Sequence, residues 1–391
     1  MSTGAATPPS YQLVNLTQSV TGVLGVPNGG TGTSVITANS LLLGHGASPV
    51  TVVANGTSGY VLTSTGVGSA PTFQAATGGV TSLQGLTGAL TSFYSPPQGR
   101  LTLGSANPVP TSSILGATTV YYTMDTGGVI NLYDGTNFVP TTFTELSVAT
   151  NSTTLAPSAI GTSKVNDWFV WSNSGTPQLI HGPDWTNDTT RSAGTVLTRI
   201  SGVWLNSVPI TNGPGTARGI FVGTTRSNST ASIDFNFGGS AANGSAAFFG
   251  VWNTYNRRSI GASVIDTGAS YNYSGMPRQA RGLTSVQISF ILGLQEDSVI
   301  GSYAQRMDYA ATLGIIGAFG MGMDTTVQFS GQPIVSEQNG TAGGFIIAAQ
   351  AGQAFNVGIG VHTLAGLEQG AVGTTTFNAS SLATLSAQIR M

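Results

Sequence analysis

The chain has 391 residues, and only 7% of them are Asp, Glu, Lys or Arg, against roughly 25% in an ordinary soluble domain. With 55 glycines, 40% hydrophobic residues and a formal net charge of -2, the composition argues against a disordered chain and a basic nucleic-acid-binding surface. Cysteine is absent, which excludes disulfides and thiolate metal sites.

Residues 1–99 differ in composition from the rest, because the first charged residue of the chain is Arg100. Residues 1–25 contain neither the basic region nor the apolar region of a secretory signal, so we expect the protein to be made and assembled in a cytoplasm. We treat residues 1–25, 26–99 and 100–391 as three parts, with a further boundary near residue 143.

Short β-type runs alternate with turn clusters in residues 26–99. The runs SVITANSLLLG, VTVVA and GYVLTSTG are separated by Gly, Asn and Pro, which tight turns require. Strands this short cannot enclose a core within one chain, so we predict an extended segment in which three identical chains pack around an axis. A flexible Gly/Ser/Thr linker is the alternative, and it fits residues 1–15 and 75–98 best.

Residues 100–391 have the pattern of a β-rich globular domain. Runs such as WFVWS, GIFVGTT and TSVQISFILGL, bounded by Gly, Asn and Pro, predict an all-β fold of β-sandwich or jelly-roll type. Residues 298–313 are the best candidate for a helix, and residues 380–391 fit a short helix or a last strand. The charge-free stretch 309–323 is shorter than the ~20 residues of a spanning helix, so we predict a buried core segment without membrane insertion.

Residues 26–73 resemble a module of bacteriophage tail-fibre and related virion appendage proteins. The resemblance is carried by VPNGGTG, NSLLLGHG, GYVLTSTG and APTF, with LTQSVTGVLG as the lead-in. GVTSLQGLTGAL at 79–90 is similar to an element often found beside this module, with Gln84 and Leu86 as departures from its usual pattern. GRLTLGSANPVPTSSILGATTVYYT, YDGTNFVPTTFTELS and FFGVWNTYNRR look like segments of phage proteins of unassigned function.

The resemblance implies a structural virion protein of a bacteriophage, exposed on the particle surface. It implies a homotrimeric tail fibre that contributes to host attachment, with residues 1–25 bound to another virion protein. The partners would then be other copies of the chain, a virion protein and a host surface glycan or protein. A capsid or baseplate decoration fibre without a receptor role is an alternative, and a polysaccharide depolymerase is another.

No linear signature of catalysis or cofactor binding is present. The three histidines, His45, His181 and His362, are scattered, and the only lysine, Lys164, lacks the glycine spacing of a phosphate loop. The sequence contains no G-x-S-x-G and no G-x-G-x-x-G. We therefore predict a protein that is not an enzyme and that requires neither a metal nor an organic cofactor.

The nearest cluster of acidic residues is Glu296, Asp297 and Asp308. Glycoside hydrolysis needs two carboxyl groups about 5 to 9.5 Å apart. Adjacent residues on a strand point to opposite faces, and acidic side chains of β proteins are usually solvated or paired. We interpret the cluster as structural, with Arg306 as a candidate partner.

Two sets of aromatic and polar residues are candidates for binding a glycan or receptor, because a ring face packs on a pyranose and amides bond its hydroxyls. Asp184, Trp185 and Asn187 lie in the turn-rich stretch GPDWTND, although Trp185 also fits a packing role. The second set comprises Tyr255, Arg257, Tyr271 and Tyr273. The remaining tryptophans lie in apolar runs and are expected in the core: Trp168, Trp171, Trp204 and Trp252.

Overall fold

The structure is a computed structural model that describes residues 22–76, 82–83, 86–87, 95–309, 316–337, 346–378 and 383–391. The chain divides into two compact units, Met1–Leu90 and Thr91–Met391, called here the N-terminal unit and the C-terminal unit. Pairing in the C-terminal unit begins before Arg100, because the Gln98 amide donates to the carbonyl of Val129 at 3.1 Å.

The N-terminal unit contains antiparallel two-stranded hairpins. The strands are β1 (Leu41–Leu43), β2 (Thr51–Val53), β3 (Tyr60–Thr63), β4 (Thr72–Ala75), β5 (Ser82–Leu83) and β6 (Leu86–Thr87), preceded by a 3-10 turn at Val26–Asn28. They pair as β1–β2, β3–β4 and β5–β6. None of residues 22–76 is buried, so this part of the chain has no core of its own.

The GGTG stretch folds into a compact turn, and two of its glycines are required by geometry. The amide of Gly32 donates to the carbonyl of Leu24 at 3.1 Å. A methyl group on Gly30 would lie 2.0 Å from the same carbonyl oxygen, and Gly32 has a φ of +69°, which L side chains rarely adopt. The motif therefore encodes a specific backbone path rather than general flexibility.

The C-terminal unit begins with two small antiparallel sheets. One has the order β12 (Leu146–Ala149), β9 (Thr119–Met124), β7 (Gly99–Thr102), and the other pairs β10 (Val129–Tyr133) with β11 (Phe138–Thr142). A six-stranded sheet follows: β13 (Val165–Asn173), β14 (Thr176–Asp184), β15 (Leu197–Ile200), β16 (Val203–Asn206), β17 (Ile220–Arg226) and β21 (Val251–Asn253).

The largest sheet has thirteen strands. They are β8 (Ile114–Ala117), β18 (Ile233–Asn236), β19 (Gly238–Ala241), β20 (Ala247–Phe249), β22 (Ser259–Asp266), β23 (Tyr271–Gln279), β24 (Gln287–Leu292), β25 (Ser298–Tyr309), β26 (Ile316–Met323), β27 (Ile334–Glu337), β28 (Ile346–Asn356), β29 (Gly360–Asn378) and β30 (Ala383–Arg390). Short 3-10 turns lie at Ala193–Thr195 and Ala280–Gly282.

One hydrophobic core lies between these sheets and contains residues of both large ones. Trp168, Phe221 and Trp252 of the six-stranded sheet are fully buried, as are Phe290 and Phe319 of the thirteen-stranded sheet. The predicted all-β fold class is confirmed, and large sheets that share a core are consistent with a β-sandwich. Trimer formation stays a prediction.

The predicted helix at 298–313 is wrong over the residues that the structure describes. Residues Ser298–Tyr309 form strand β25, which pairs with β28 and β30; residues 310–313 lie outside the described part. Ala383–Arg390 form strand β30, so the strand alternative for the last stretch is correct over the described residues; residues 380–382 lie outside the described part. Within 309–323, residues 317–322 are buried, as the core interpretation predicts, and residues 310–315 lie outside the described part. No helix in the described part is long and apolar enough to cross a membrane.

Candidate functional site

An open cleft of about 500 Å³ lies on the C-terminal unit. It is formed where the loop after β14 passes the start of β13 and the end of β17. Its lining residues are Ser163, Lys164, Val165, Trp185, Thr186, Asn187, Asp188, Thr189 and Arg226. Two of the predicted ligand-binding residues, Trp185 and Asn187, are therefore in its wall, and Asp184 directly precedes it.

Backbone hydrogen bonds fix the wall formed by the loop after β14. The amide of Thr186 donates to the carbonyl of Thr190 at 3.0 Å, and the amide of Thr189 donates to Asn187 Oδ1 at 2.9 Å. The carbonyl of Asp188 accepts from the amide of Val361 at 2.8 Å, which ties the loop to β29. The loop is therefore closed on itself and anchored to the sheet.

The opposite wall is equally well fixed. The amide of Lys164 donates to Ser227 Oγ at 2.9 Å, and the amide of Ser227 donates back to the carbonyl of Lys164 at 2.9 Å. The two walls are joined because the amide of Trp185 donates to the carbonyl of Val165 at 2.9 Å. The cleft is thus preformed by main-chain geometry.

The charged side chains that line the cleft are Lys164, Arg226 and Asp188, and the carboxylate of Asp184 lies beside them. Arg226 forms an ion pair with Asp188, in which Nη2 and Oδ2 are 3.1 Å apart. Lys164 is exposed, and within the described part of the chain its ammonium group makes no ion pair or hydrogen bond. The ammonium group of Lys164 is therefore unpaired, while the Asp184 carboxylate lies near the same side chain: a Cβ atom on Gly161 would be 3.7 Å from Lys164 Cε and 3.3 Å from Asp184 Oδ2.

Trp185 packs rather than presenting a free ring. Its residue is only 2% exposed, and the guanidinium of Arg191 lies 4.5 Å from the ring centroid. The indole ring therefore has no exposed face on which a pyranose could pack, and this geometry supports the packing role for Trp185. Asp184 is half-buried and accepts from Asn166 Nδ2 at 2.9 Å, whereas Asn187 is exposed.

A buried carboxylate beneath Trp185 holds Arg191 in place. Asp167 is fully buried, accepts from Arg191 Nε at 2.9 Å and accepts from the hydroxyl of Thr224 at 2.7 Å. Burial raises the pKa of Asp167, although Arg191 and the hydrogen bonds act in the opposite direction. The group is therefore a structural support of the cleft.

In the second predicted set, Arg257 belongs to an ion-pair network. Its guanidinium lies 2.7 Å from Glu296 Oε2 and 2.7 Å from Asp297 Oδ2, and Arg390 also pairs with Asp297 at 3.2 Å. Two members of the predicted acidic cluster, Glu296 and Asp297, are thus paired with arginines. Tyr255 is half-buried and packs against the core.

Tyr271 and Tyr273 also have internal partners. The hydroxyl of Tyr271 donates to the buried carboxylate of Glu368, and Arg281 lies 4.3 Å from its ring centroid. Arg278 lies 3.6 Å from the ring centroid of Tyr273 and donates to Glu368 at 2.8 Å. Burial raises the pKa of Glu368 even though these hydrogen bonds oppose it. Arginines thus cover a face of each tyrosine ring.

The described residues contain no group of three or more His, Cys, Asp or Glu side chains that could hold a metal ion. His181 Nδ1 donates to the carbonyl of Gly182 at 2.8 Å. His362 lies with Nδ1 2.8 Å from Asp324 Oδ2 and with Nε2 3.0 Å from the carbonyl of Gly358. Both histidines are therefore held by structural partners.

No protein-family model matches the chain, and no curated protein matches it either. Two solved structures of infectious bursal disease virus have remote similarity to it. The Gt strain structure is 10% identical over 60% of this chain and 54% of that chain, with a TM-score of 0.21. The Gx strain structure is 12% identical over 68% and 64%, with a TM-score of 0.18. The chain spans less than two thirds of either viral chain, and likenesses this distant carry no argument about its role.

Proposed function

We propose that the chain is a structural virion protein of a bacteriophage. In this proposal it is a homotrimeric tail fibre, assembled in the host cytoplasm and exposed on the particle, that contributes to attachment to the host surface. Residues 1–25 bind another virion protein, and the C-terminal unit carries the contact with the host. The proposal includes no catalytic activity, metal or cofactor.

The observation that supports the proposal most directly is the exposure of apolar side chains on the hairpins of the N-terminal unit. Leu42 and Val52 face each other across β1–β2 and are 45% and 42% exposed. Val61 and Leu62 on β3 are 50% and 45% exposed. Isolated two-stranded hairpins are marginally stable in water, so partner chains that cover these side chains would supply the missing stabilisation.

The backbone and the composition of the N-terminal unit also fit a fibre module. The GGTG turn places consecutive hairpins on a defined backbone path, and the segment carries no charge that would be costly to bury between chains. The resemblance of residues 26–73 to virion fibre modules points to the same role.

Two experiments test the proposal. Gold-labelled antibody against the C-terminal unit should mark the tail of intact particles in electron micrographs, whereas label on the capsid alone would favour a decoration fibre. Purified full-length chain should compete with phage for adsorption and should bind host polysaccharide without shortening it. Loss of polymer size in that incubation would favour a depolymerase instead.

A further inference from the structure

The cleft between the loop after β14 and the start of β13 has the chemistry of a binding site for a charged sugar. We propose that it binds one acidic saccharide unit, with the Lys164 ammonium group receiving the carboxylate of the sugar. This inference rests on the proposed attachment function and names the class of ligand.

The unpaired ammonium group of Lys164 is the feature that favours an acidic group on the ligand. Arg226 is already paired with Asp188, so Lys164 alone is available to an incoming anion. A single ammonium group balances the one charge of a carboxylate, whereas a phosphate dianion would leave a second negative charge unbalanced near Asp184 and Asp188. The ligand therefore carries one negative charge per bound unit.

The neutral groups in the cleft select a polyhydroxylated ligand. The side-chain oxygen of Asn187 accepts from the amide and the hydroxyl of Thr189, whereas its side-chain amide nitrogen makes no hydrogen bond within the described chain. Thr186 adds a further hydroxyl to the lining. Such donors and acceptors bind sugar hydroxyls, and the cleft exposes more polar than apolar surface.

The size and rigidity of the cleft agree with this ligand. Its volume of about 500 Å³ lies within the range of roughly 300–1,000 Å³ that small-molecule sites occupy. Both walls are fixed by backbone hydrogen bonds, so binding does not require a loop to be ordered first. Each site is open to solvent and is expected to bind weakly, and a trimer would gain strength by engaging a polymeric glycan at several sites.

The test is a calorimetric titration of the full-length chain with uronate- and sialate-containing oligosaccharides, neutral oligosaccharides of equal length and inorganic phosphate. At least one acidic oligosaccharide should bind about tenfold or more tightly than its neutral counterpart and than phosphate. Lys164→Met should weaken that binding at least about tenfold, while Lys164→Arg should stay within about threefold. Arg218→Gln removes one exposed positive charge outside the cleft and should leave binding unchanged.

Absence of binding by every acidic oligosaccharide overturns the inference, as does binding that Lys164→Met does not weaken. Equal binding of phosphate or of the neutral oligosaccharides overturns it too, since the site would then be a simple anion site or would ignore charge. Adsorption competition separates the two proposals. If Lys164→Met competes for phage adsorption as well as the wild type does, the role of the cleft in attachment is refuted and the attachment function is retained. If the chain binds glycan through Lys164 but does not compete for adsorption, the binding site is retained and the attachment function is refuted.

Discussion

Arg191 connects the buried carboxylate of Asp167 to the ring of Trp185: its guanidinium donates to the carboxylate and lies 4.5 Å from the ring centroid. The same guanidinium donates to the carbonyl of Gly293 at 2.9 Å, beyond β24 of the other large sheet. The Arg191 side chain therefore packs against Trp185 in the wall of the cleft and also links the two large sheets.

Replacement of Arg191 by Met should destabilise the C-terminal unit strongly. It leaves the fully buried carboxylate of Asp167 without its cation, and breaking a buried pair in this way costs about 3–5 kcal/mol. Chemical denaturation followed by tryptophan fluorescence measures the loss, because all five tryptophans lie in this unit. Arg199→Met is the matched control: Arg199 is exposed and should cost less than about 1 kcal/mol. Equal losses would contradict the assigned role of Arg191.

His181 should make the unit less stable in mild acid. Burial lowers the pKa of His181, although the hydrogen bond to Gly182 and the charge of Asp184 oppose that shift. The unfolded chain then takes up a proton near pH 6.5 while the native chain does not, so the free energy of unfolding falls as the pH drops below about 6.5. His181→Phe keeps a ring against Trp168 and removes the titrating group.

The measurement compares unfolding free energies at about pH 7.5 and about pH 5.5, which lie on either side of the ordinary histidine pKa. The difference should be smaller in His181→Phe than in the wild type, by at most about 1.4 kcal/mol for each pH unit that the native pKa is lowered. His45→Gln, at an exposed position of the N-terminal unit, should leave the difference unchanged. An identical pH dependence in His181→Phe and wild type would refute the prediction.

The exposed pair on β1–β2 should contribute to self-association. Leu42→Ser with Val52→Ser removes two apolar side chains that neighbour each other across the hairpin, and association of three chains should weaken at least about tenfold. Sedimentation velocity over a concentration series measures this. The control replaces Leu115 and Val327 by Ser, two residues of the C-terminal unit that are 64% and 70% exposed. A stable monomer in the wild type, or a larger effect of the control, would contradict the predicted packing of the hairpins.

Gly223 should not tolerate even a methyl group. It lies in β17 between β13 and β21, and a Cβ atom would be 2.2 Å from the carbonyl oxygen of Trp252. Gly223→Ala therefore forces a backbone shift and should cost about 1–3 kcal/mol or more. Gly239→Ala provides the comparison, because no atom lies within 4 Å of the added methyl group in β19. Thermal unfolding should separate the two variants, and similar melting temperatures would disprove the steric argument.

The all-β class could be predicted from the sequence because short runs of β-branched and aromatic residues recur between turn residues. Strand β25 could not be predicted, because its buried and exposed positions do not follow residue polarity. Val299 and Tyr303 are buried, but so are Gly301 and Gln305, while Ile300 is 54% exposed. Gln305 is buried because it bonds the hydroxyl of Tyr303 at 2.9 Å and backbone carbonyl groups. Such tertiary hydrogen bonds leave no period-2 apolar pattern in the sequence.

The candidate site was predictable only in part. The stretch around Trp185 and Asn187 does line the cleft, but the side chains opposite it come from distant positions that only pairing of β13 and β17 brings together. The sequence singles out Lys164 only as the one lysine of the chain, and nothing in the residues around it indicates a cleft. The arginines that cover Tyr271 and Tyr273, Arg281 and Arg278, could not be predicted as their partners from linear spacing.

The burial of Arg100 has a practical consequence for proteolysis. Trypsin cleaves after lysine or arginine, and no such residue precedes Arg100. Arg100 itself is only 2% exposed, and its guanidinium donates to the carbonyl groups of Pro108 and Met391 at 3.0 and 3.1 Å. As long as the C-terminal unit stays folded, the first hundred residues present no accessible tryptic bond. Release of a fragment of residues 1–100 by trypsin therefore reports unfolding around Arg100, where the guanidinium contacts the residue that follows the last strand.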